Sequence, residues 1–187
     1  MTTTLGGSVE LLDRSLAYTC SRLEAVRDDL LDRRTPCADW DLAGLLAHME
    51  DALDAFTEAA GGAVELDRWR EAAGPVPAIR AKAMALLGVW SRPSPGDVVI
   101  GTGGHRLDLQ SSLLVATAAL EITVHGWDVG RAIGDDTPIA PALAAELLPV
   151  ARATVTRGDR GVRFGPAVPV PDDAPPDLRL LGFLGRT

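Results

Sequence analysis

The chain has 187 residues, of which 47% are hydrophobic and 24% are charged, and its formal net charge is −8. This length suits one domain with a sizeable core, and the composition is that of a folded globular protein, not of a disordered or collagen-like chain. The acidic balance argues against a nucleic-acid partner, because phosphates would be repelled at long range. Since neither a signal peptide nor a transmembrane run is recognisable, we expect a cytoplasmic protein without a membrane partner.

Apolar residues recurring at helical spacing predict that the first part of the chain is helical. A long amphipathic helix is expected over Val9–Leu30, with Ser8 as its N-cap. The second helix should run from about Asp41 to Ala60, where the pair Gly61-Gly62 would stop it. A third helix is predicted from about Pro77 to Trp90.

The middle of the chain combines a predicted hairpin with a central helix. Two short strands, Asp97–Ile100 and Arg106–Leu109, flank the glycine-rich turn Gly101–Gly104. These glycines lack the following Lys-Ser/Thr of a phosphate-binding loop, so a hairpin turn is the better interpretation. The segment Ser111–Ile133 is the most apolar of the chain, which predicts a central helix.

The last quarter of the sequence predicts smaller elements. Pro141 suits the first turn of a fifth helix that reaches about Thr156, with a kink expected at Pro149. From Gly158 to Pro176 the chain is turn-like, with a possible extended piece at Val162–Val170. A short helix near Leu178–Leu184 should close the chain.

Glu121 and His125 carry the strongest chemical signal. They are four residues apart, which on a helix places both side chains on one face. An unpaired carboxylate among their apolar neighbours would be costly to bury. A divalent cation would compensate for it if His48, on the predicted buried face of another helix, supplied a further ligand. Two imidazoles and one carboxylate suit zinc, or nickel or another late transition metal, and leave one position open.

Each of these residues also has a plainer interpretation. Glu121 and His125 could form an exposed hydrogen-bonded pair, and His48 could be a satisfied core histidine. Asp128 could orient a ligand, but a solvated helix carboxylate is as good an account.

Aromatic and basic residues beside these motifs leave further alternatives open. Trp40 and Trp127 could wall a pocket, although packing in the core is the favoured interpretation. Arg131 and Arg106 could meet anionic substrate groups, but nothing in the sequence singles them out.

The two cysteines are too few for the disulfide framework of a small secreted domain, so both Cys20 and Cys37 are expected to be reduced. Cys37 could be a fourth ligand or a nucleophile. A small core residue is the more probable role on general grounds.

Three stretches of the sequence resemble the mycothiol-dependent maleylpyruvate isomerase family, and together they cover most of the chain in order. They are Thr35–Leu42 leading into Leu45–His48, then Glu121–Val129, and finally a tail with Phe164–Pro166, Val168–Pro171 and Leu180–Arg186.

This resemblance implies a fold and a metal site. The fold would be all-α, a DinB-like four-helix bundle, here with a small β-hairpin. In such bundles one histidine of the second helix and a Glu-x-x-x-His pair of a later helix hold the metal, which corresponds to His48, Glu121 and His125. We therefore expect a single domain over residues 1–187, with the bundle at about 8–157 and a C-terminal extension at about 158–187.

The resemblance also implies a metal-dependent thiol S-transferase or isomerase that uses mycothiol on an electrophilic small molecule, as a monomer or homodimer. A thiol on the open metal position would be deprotonated and could attack carbon. The isomerase that names the family carries a further C-terminal domain, whereas only a short extension follows the bundle here, so the electrophile is left open. Two alternatives remain: a metal-dependent hydrolase with an activated water, and a non-catalytic metal- or ligand-binding bundle.

Overall fold

The computed structural model describes residues 4–37, 40–60, 74–92, 98–102, 105–161 and 163–186. Within these ranges the regular secondary structure is helical apart from one antiparallel hairpin, which confirms the predicted fold class. The α-helices are α1 (Leu5–Leu23), α2 (Leu42–Ala59), α3 (Pro75–Trp90), α4 (Ser111–Ile133), α5 (Pro141–Thr154) and α6 (Pro176–Phe183). The hairpin consists of β1 (Val98–Thr102) and β2 (His105–Leu109), and short 3₁₀ turns lie at Asp28–Leu30 and Arg157–Asp159.

The first four helices enclose a common apolar core. Helix α1 packs against α4 and α3, and α2 packs against the same two helices, so the four close into a bundle. Helix α5 covers α4, and α6 packs on α5. The core contains fully buried side chains from all four bundle helices, among them Leu12, Leu45, Leu46, Met49, Leu53, Ile79, Leu86 and Ile122.

A close crossing of α1 and α4 fixes the helix that carries most of the candidate site. The hydroxyl of Thr19 in α1 donates a hydrogen bond to the carbonyl oxygen of Ile122, at 2.7 Å. A Cβ atom at Gly126 would lie only 2.3 Å from Thr19 Oγ1. Glycine at this position therefore permits the two helix backbones to approach, as small residues do at helix crossings.

The predicted boundaries of α2 and α4 are confirmed, although the pair Gly61-Gly62, which was expected to stop α2, lies outside the described residues. Asp41 is the N-cap of α2, and its carboxylate accepts a hydrogen bond from the Gly44 amide at 2.8 Å. Helix α4 ends at Ile133 and is capped by Gly134, which has a φ of 85° and so adopts the left-handed conformation that closes many helices.

The predicted first helix was wrong at both ends. It begins at Leu5, because the Thr4 side chain accepts a hydrogen bond from the Gly7 amide and is the N-cap, whereas Ser8 is buried inside the helix. It ends at Leu23, and Leu30 lies in a separate 3₁₀ turn. Leu30 is nevertheless buried in the core, so the apolar period continues although the helix does not.

Other boundaries differ from the predictions by small amounts. Helix α5 ends at Thr154, and Pro149 lies inside it. Gly101 belongs to β1, while residues 103–104 of the predicted turn lie outside the described residues. The expected extended piece at 162–170 is not a regular strand in its described part, 163–170, which runs beside α6 and hydrogen-bonds to it from the Val168 amide to the Gly182 carbonyl. None of the helices in the described ranges is long and apolar enough to cross a membrane.

Candidate metal centre

Helices α2 and α4 bring the three predicted ligands together. His48 projects from α2, and Glu121 and His125 project from one face of α4. His48 Nε2 lies 2.9 Å and His125 Nε2 lies 3.0 Å from the same carboxylate oxygen, Glu121 Oε1. The donor atoms of the three residues all lie within 4.8 Å of one another. A single cation could therefore contact all three with small side-chain movements.

The cluster lines a cavity, and its side chains are buried or partly buried. The exposed fractions of the side chains are 8% for His125, 23% for Glu121 and 32% for His48. An exposed Glu-His pair, the plainer alternative, does not describe this arrangement.

The electrostatics of the cluster favour a charged pair in the metal-free protein. Burial raises the pKa of the Glu121 carboxyl, but the charge and hydrogen bonds of the two imidazoles lower that pKa well below its ordinary value. Burial lowers the pKa of His125, whereas the Glu121 charge and the hydrogen bond with Asp128 raise it well above its ordinary value. The negative carboxylate is thus balanced by positive charge, a role that a divalent cation could take.

Asp128 lies behind His125 and is fully buried. Its Oδ2 accepts a hydrogen bond from His125 Nδ1 at 3.0 Å. Arg186 donates to the same carboxylate through two nitrogens, Nε to Oδ1 at 2.9 Å and Nη2 to Oδ2 at 2.8 Å. The solvated-carboxylate alternative for Asp128 is therefore wrong. With Nδ1 of His125 engaged by Asp128, the Nε2 atom remains directed towards Glu121.

Cys37 lies beside Asp128 and His125. Its thiol donates to Asp128 Oδ2 at 3.3 Å and lies 3.9 Å from His125 Nδ1. Cys37, His125 and Asp128 could in principle hold a cation. However, both Asp128 oxygens already accept hydrogen bonds from Arg186, and that positive charge disfavours a cation there. Cys20 and Cys37 are both free thiols, as predicted.

A cavity of about 530 Å³ is lined in part by the three candidate ligands. The ring of Trp40 stacks on His48, with centroids 4.4 Å apart and planes inclined by 28°, and the side chain is 37% exposed at the cavity wall. The favoured prediction of a core aromatic was thus wrong for Trp40. Trp127, in contrast, is buried in the core, with the Arg131 guanidinium 5.7 Å from its ring centroid.

The sequence analysis missed the contribution of the C-terminal segment to this cavity. Much of the wall comes from that segment, namely Gly161, Arg163, Phe164, Gly165, Leu184, Gly185 and Arg186. An arginine two residues after the largely apolar run 180–184 was a signal that could have pointed to Arg186. Of the two arginines considered for anionic substrates, Arg131 pairs with Asp136 and lines a smaller neighbouring hollow. The side chain of Arg106 lies outside the described residues.

Comparison with known proteins supports the resemblance found in the sequence. Residues 12–130 match the family model described as the mycothiol maleylpyruvate isomerase N-terminal domain. Two uncharacterized proteins of Mycobacterium tuberculosis, from strains CDC 1551 and H37Rv, are each 29% identical over 175 residues, covering 88% of this chain and 90% of the relative. A crystal structure of the mycothiol-dependent maleylpyruvate isomerase has a similar fold, with a TM-score of 0.52 and 18% identity. The similarity covers 70% of this chain and 64% of that one.

Proposed function

Since this chain belongs to the mycothiol maleylpyruvate isomerase N-terminal domain family, we propose that it is a metal-dependent enzyme in which mycothiol reacts with an electrophilic small molecule. The reaction is either transfer of the thiol to the electrophile or, by addition and elimination, an isomerisation. Family membership supports the use of mycothiol. The observation that carries the proposal is that donor atoms of His48, Glu121 and His125 lie close together in the lining of one cavity.

The donor set fits a divalent late transition metal. Two imidazole nitrogens and one carboxylate oxygen are ligands that zinc accepts at catalytic sites, where a fourth position stays open, and nickel accepts imidazole as well. The contact between His125 Nδ1 and Asp128 leaves Nε2 as the ligating nitrogen. Both imidazole Nε2 atoms lie at hydrogen-bond distance from the same Glu121 oxygen, so the three donor atoms are close enough to share one cation.

A divalent ion in this place would keep a bound thiol in its thiolate form at neutral pH, where a free thiol is mostly protonated. The residues of the chain would prepare the surroundings of that sulfur. Val124, Phe164 and Leu184 give the cavity an apolar wall that limits water near the reacting carbon. Arg163 also lines the cavity, although it is 69% exposed and pairs with Asp159 at 3.2 Å, so it would have to leave that partner to stabilise negative charge developing on an electrophile.

The test measures metal content and thiol binding separately. The purified, untagged protein is compared with its His125→Ala variant by elemental analysis, and the cobalt-loaded protein is titrated with mycothiol and with its S-methyl derivative. We expect about one metal per chain in the wild type and almost none in the variant, as for a site built on three protein ligands. Mycothiol should change the visible spectrum of cobalt, whereas the S-methyl derivative, which has no thiol proton to lose, should not. His105→Ala is the matched control, because no metal role was predicted for His105.

The outcomes separate the parts of the proposal. A protein without metal, or a His125→Ala variant with full metal content, would refute the metal site. Metal binding without any response to mycothiol would refute the thiol reaction and favour the hydrolase or the non-catalytic bundle.

A further inference from the structure

The C-terminal segment is connected to the three candidate ligands by one buried arginine, Arg186, which contacts Asp128 behind His125. Arg186 is only 9% exposed, and its guanidinium donates hydrogen bonds from Nε and Nη2 to the Asp128 carboxylate, at 2.9 and 2.8 Å. Two parallel hydrogen bonds of this kind fix the plane of a carboxylate as well as its position. Arg186 therefore determines where Asp128 Oδ2 points.

The backbone conformation at Gly185 and Arg186 directs the Arg186 side chain towards Asp128. The Arg186 amide donates to the Leu181 carbonyl at 2.9 Å, which fastens the residue to the end of α6. Gly185 has a φ of 77°, and a Cβ at this position would lie 2.8 Å from backbone atoms of Gly165. Only glycine fits such a left-handed and crowded position, so the turn that aims Arg186 inwards depends on Gly185.

Asp128 connects Arg186 to the candidate ligand His125. Asp128 is 0% exposed, so its interactions are with protein groups and not with bulk water. Its Oδ2 accepts from both Arg186 Nη2 and His125 Nδ1. Without the guanidinium, the carboxylate would lose two strong hydrogen bonds and its fixed orientation while remaining buried beside His125.

We propose that Arg186 is a positioning residue of the metal centre: it holds Asp128 so that Asp128 fixes the His125 ring with Nε2 directed at the metal. The inference rests on the proposed metal-binding role of His48, Glu121 and His125. Mutation of a residue that hydrogen-bonds the non-ligating nitrogen of a metal-bound histidine commonly weakens metal binding by about 10- to 100-fold. The C-terminal segment is thereby part of the structure that holds the metal, and not only a cover for the bundle.

A purely structural role, in which Arg186 only fastens the tail, makes a different prediction. Arg160 provides the comparison because it fastens the same segment. Its Nη1 donates to the carbonyl oxygens of Gly165 and Phe183, at 3.1 and 2.7 Å. Loss of Arg160 should loosen the segment while leaving Asp128 its described partners.

The experiment compares cobalt affinity, by competition with a chelator, in the wild type and in Arg186→Gln, Arg186→Lys and Arg160→Gln, each measured well below its own Tm. Arg186→Gln should bind cobalt about 10- to 100-fold more weakly and with an altered visible spectrum. Arg186→Lys should recover part of the loss, because one charged donor returns. Arg160→Gln should lower Tm and leave the affinity unchanged. Asp128→Asn, which keeps the side-chain shape, should reproduce the affinity loss if Arg186→Gln does not fold.

A metal-free measurement keeps this inference distinct from the proposed function. Nitrogen-15 NMR of the His125 ring in the metal-free protein should show a single ring environment in the wild type and altered shifts in Arg186→Gln. Unchanged cobalt affinity and ring signals in Arg186→Gln, or equal affinity losses in Arg160→Gln and Arg186→Gln, would overturn the role of Arg186. Altered ring signals in a protein that binds no cobalt would refute the proposed function and support the coupling of Arg186 to His125.

Discussion

Replacing Gly126 with alanine tests whether α1 and α4 cross in the close contact that the structure shows. The added Cβ would lie 2.3 Å from Thr19 Oγ1, 3.0 Å from Thr19 Cβ and 3.1 Å from Thr19 Cα. Overpacking of this kind costs about 1–3 kcal/mol. The Thr19 hydroxyl must also move away from the Ile122 carbonyl, and a lost buried hydrogen bond costs about 1 kcal/mol more.

We therefore expect Gly126→Ala to lower the free energy of unfolding by about 3 kcal/mol, which for a chain of this size lowers Tm by roughly 6–12 °C. Urea and thermal unfolding followed by circular dichroism would measure both quantities. Gly88→Ala is the matched control, since a Cβ at this exposed position of α3 meets nothing within 4 Å among the described residues. That change should stabilise the helix by about 0.5–1 kcal/mol.

The double variant Thr19→Ala/Gly126→Ala separates the clash from other effects. Thr19→Ala removes the atom at 2.3 Å but leaves the contacts at 3.0 and 3.1 Å. The double variant should consequently be more stable than the sum of the single changes by about 1–2 kcal/mol. If Gly126→Ala is as stable as the wild type, or if the two changes simply add, the argument from helix contact is wrong.

Three further predictions concern single side chains. Burial raises the pKa of Tyr18, the only tyrosine of the chain, to about 12. The absorbance titration of this phenol should therefore have its midpoint near 12 in the folded protein and near 10 in urea. Equal midpoints in the two conditions would contradict the burial of Tyr18. Because the folded pKa is raised, Tyr18 favours the folded state fully below pH 10, and this contribution is lost as the pH rises through about 12. Cys37→Ala should leave metal stoichiometry unchanged, because the thiol contacts Asp128 and the Nδ1 side of His125 and not the Nε2 atom assigned to the metal; loss of metal would make Cys37 a ligand. Cobalt should quench tryptophan fluorescence less in Trp40→Phe than in the wild type, because the Trp40 ring stacks on His48 at 4.4 Å; equal quenching would place the metal elsewhere.

Helix boundaries were predictable where a local chemical signal marks them. Asp41 provides a side-chain acceptor for α2, and Gly134 provides the left-handed end of α4. The end of α1 could not be predicted in this way, because Leu30 keeps the apolar period and is buried, although a 3₁₀ turn carries it. Apolar spacing reports which residues face the core, and several backbone paths can place them there.

The same distinction applies to the candidate site. Glu121 and His125 were found because both lie within one helix, where a spacing of four places them on one face. His48 was found from its place on a buried helical face, and the family resemblance singled out the same three residues. The partnership of Arg186 with Asp128 spans 58 residues along the chain and joins a helix to an irregular tail, so no spacing rule could indicate it.

Under the proposed function, the positions of these residues along the chain would separate metal binding from substrate choice. The region that matches the family model, residues 12–130, contains the three candidate ligands together with Cys37 and Trp40. Much of the opposite cavity wall, including Arg163 and Phe164, comes from beyond residue 130. The chemistry shared by the family can thus remain in the bundle while the C-terminal segment changes the shape and charge that an electrophile meets. Exchanging that segment's wall residues should therefore alter which electrophile reacts while metal content stays constant, provided that Arg186 is kept.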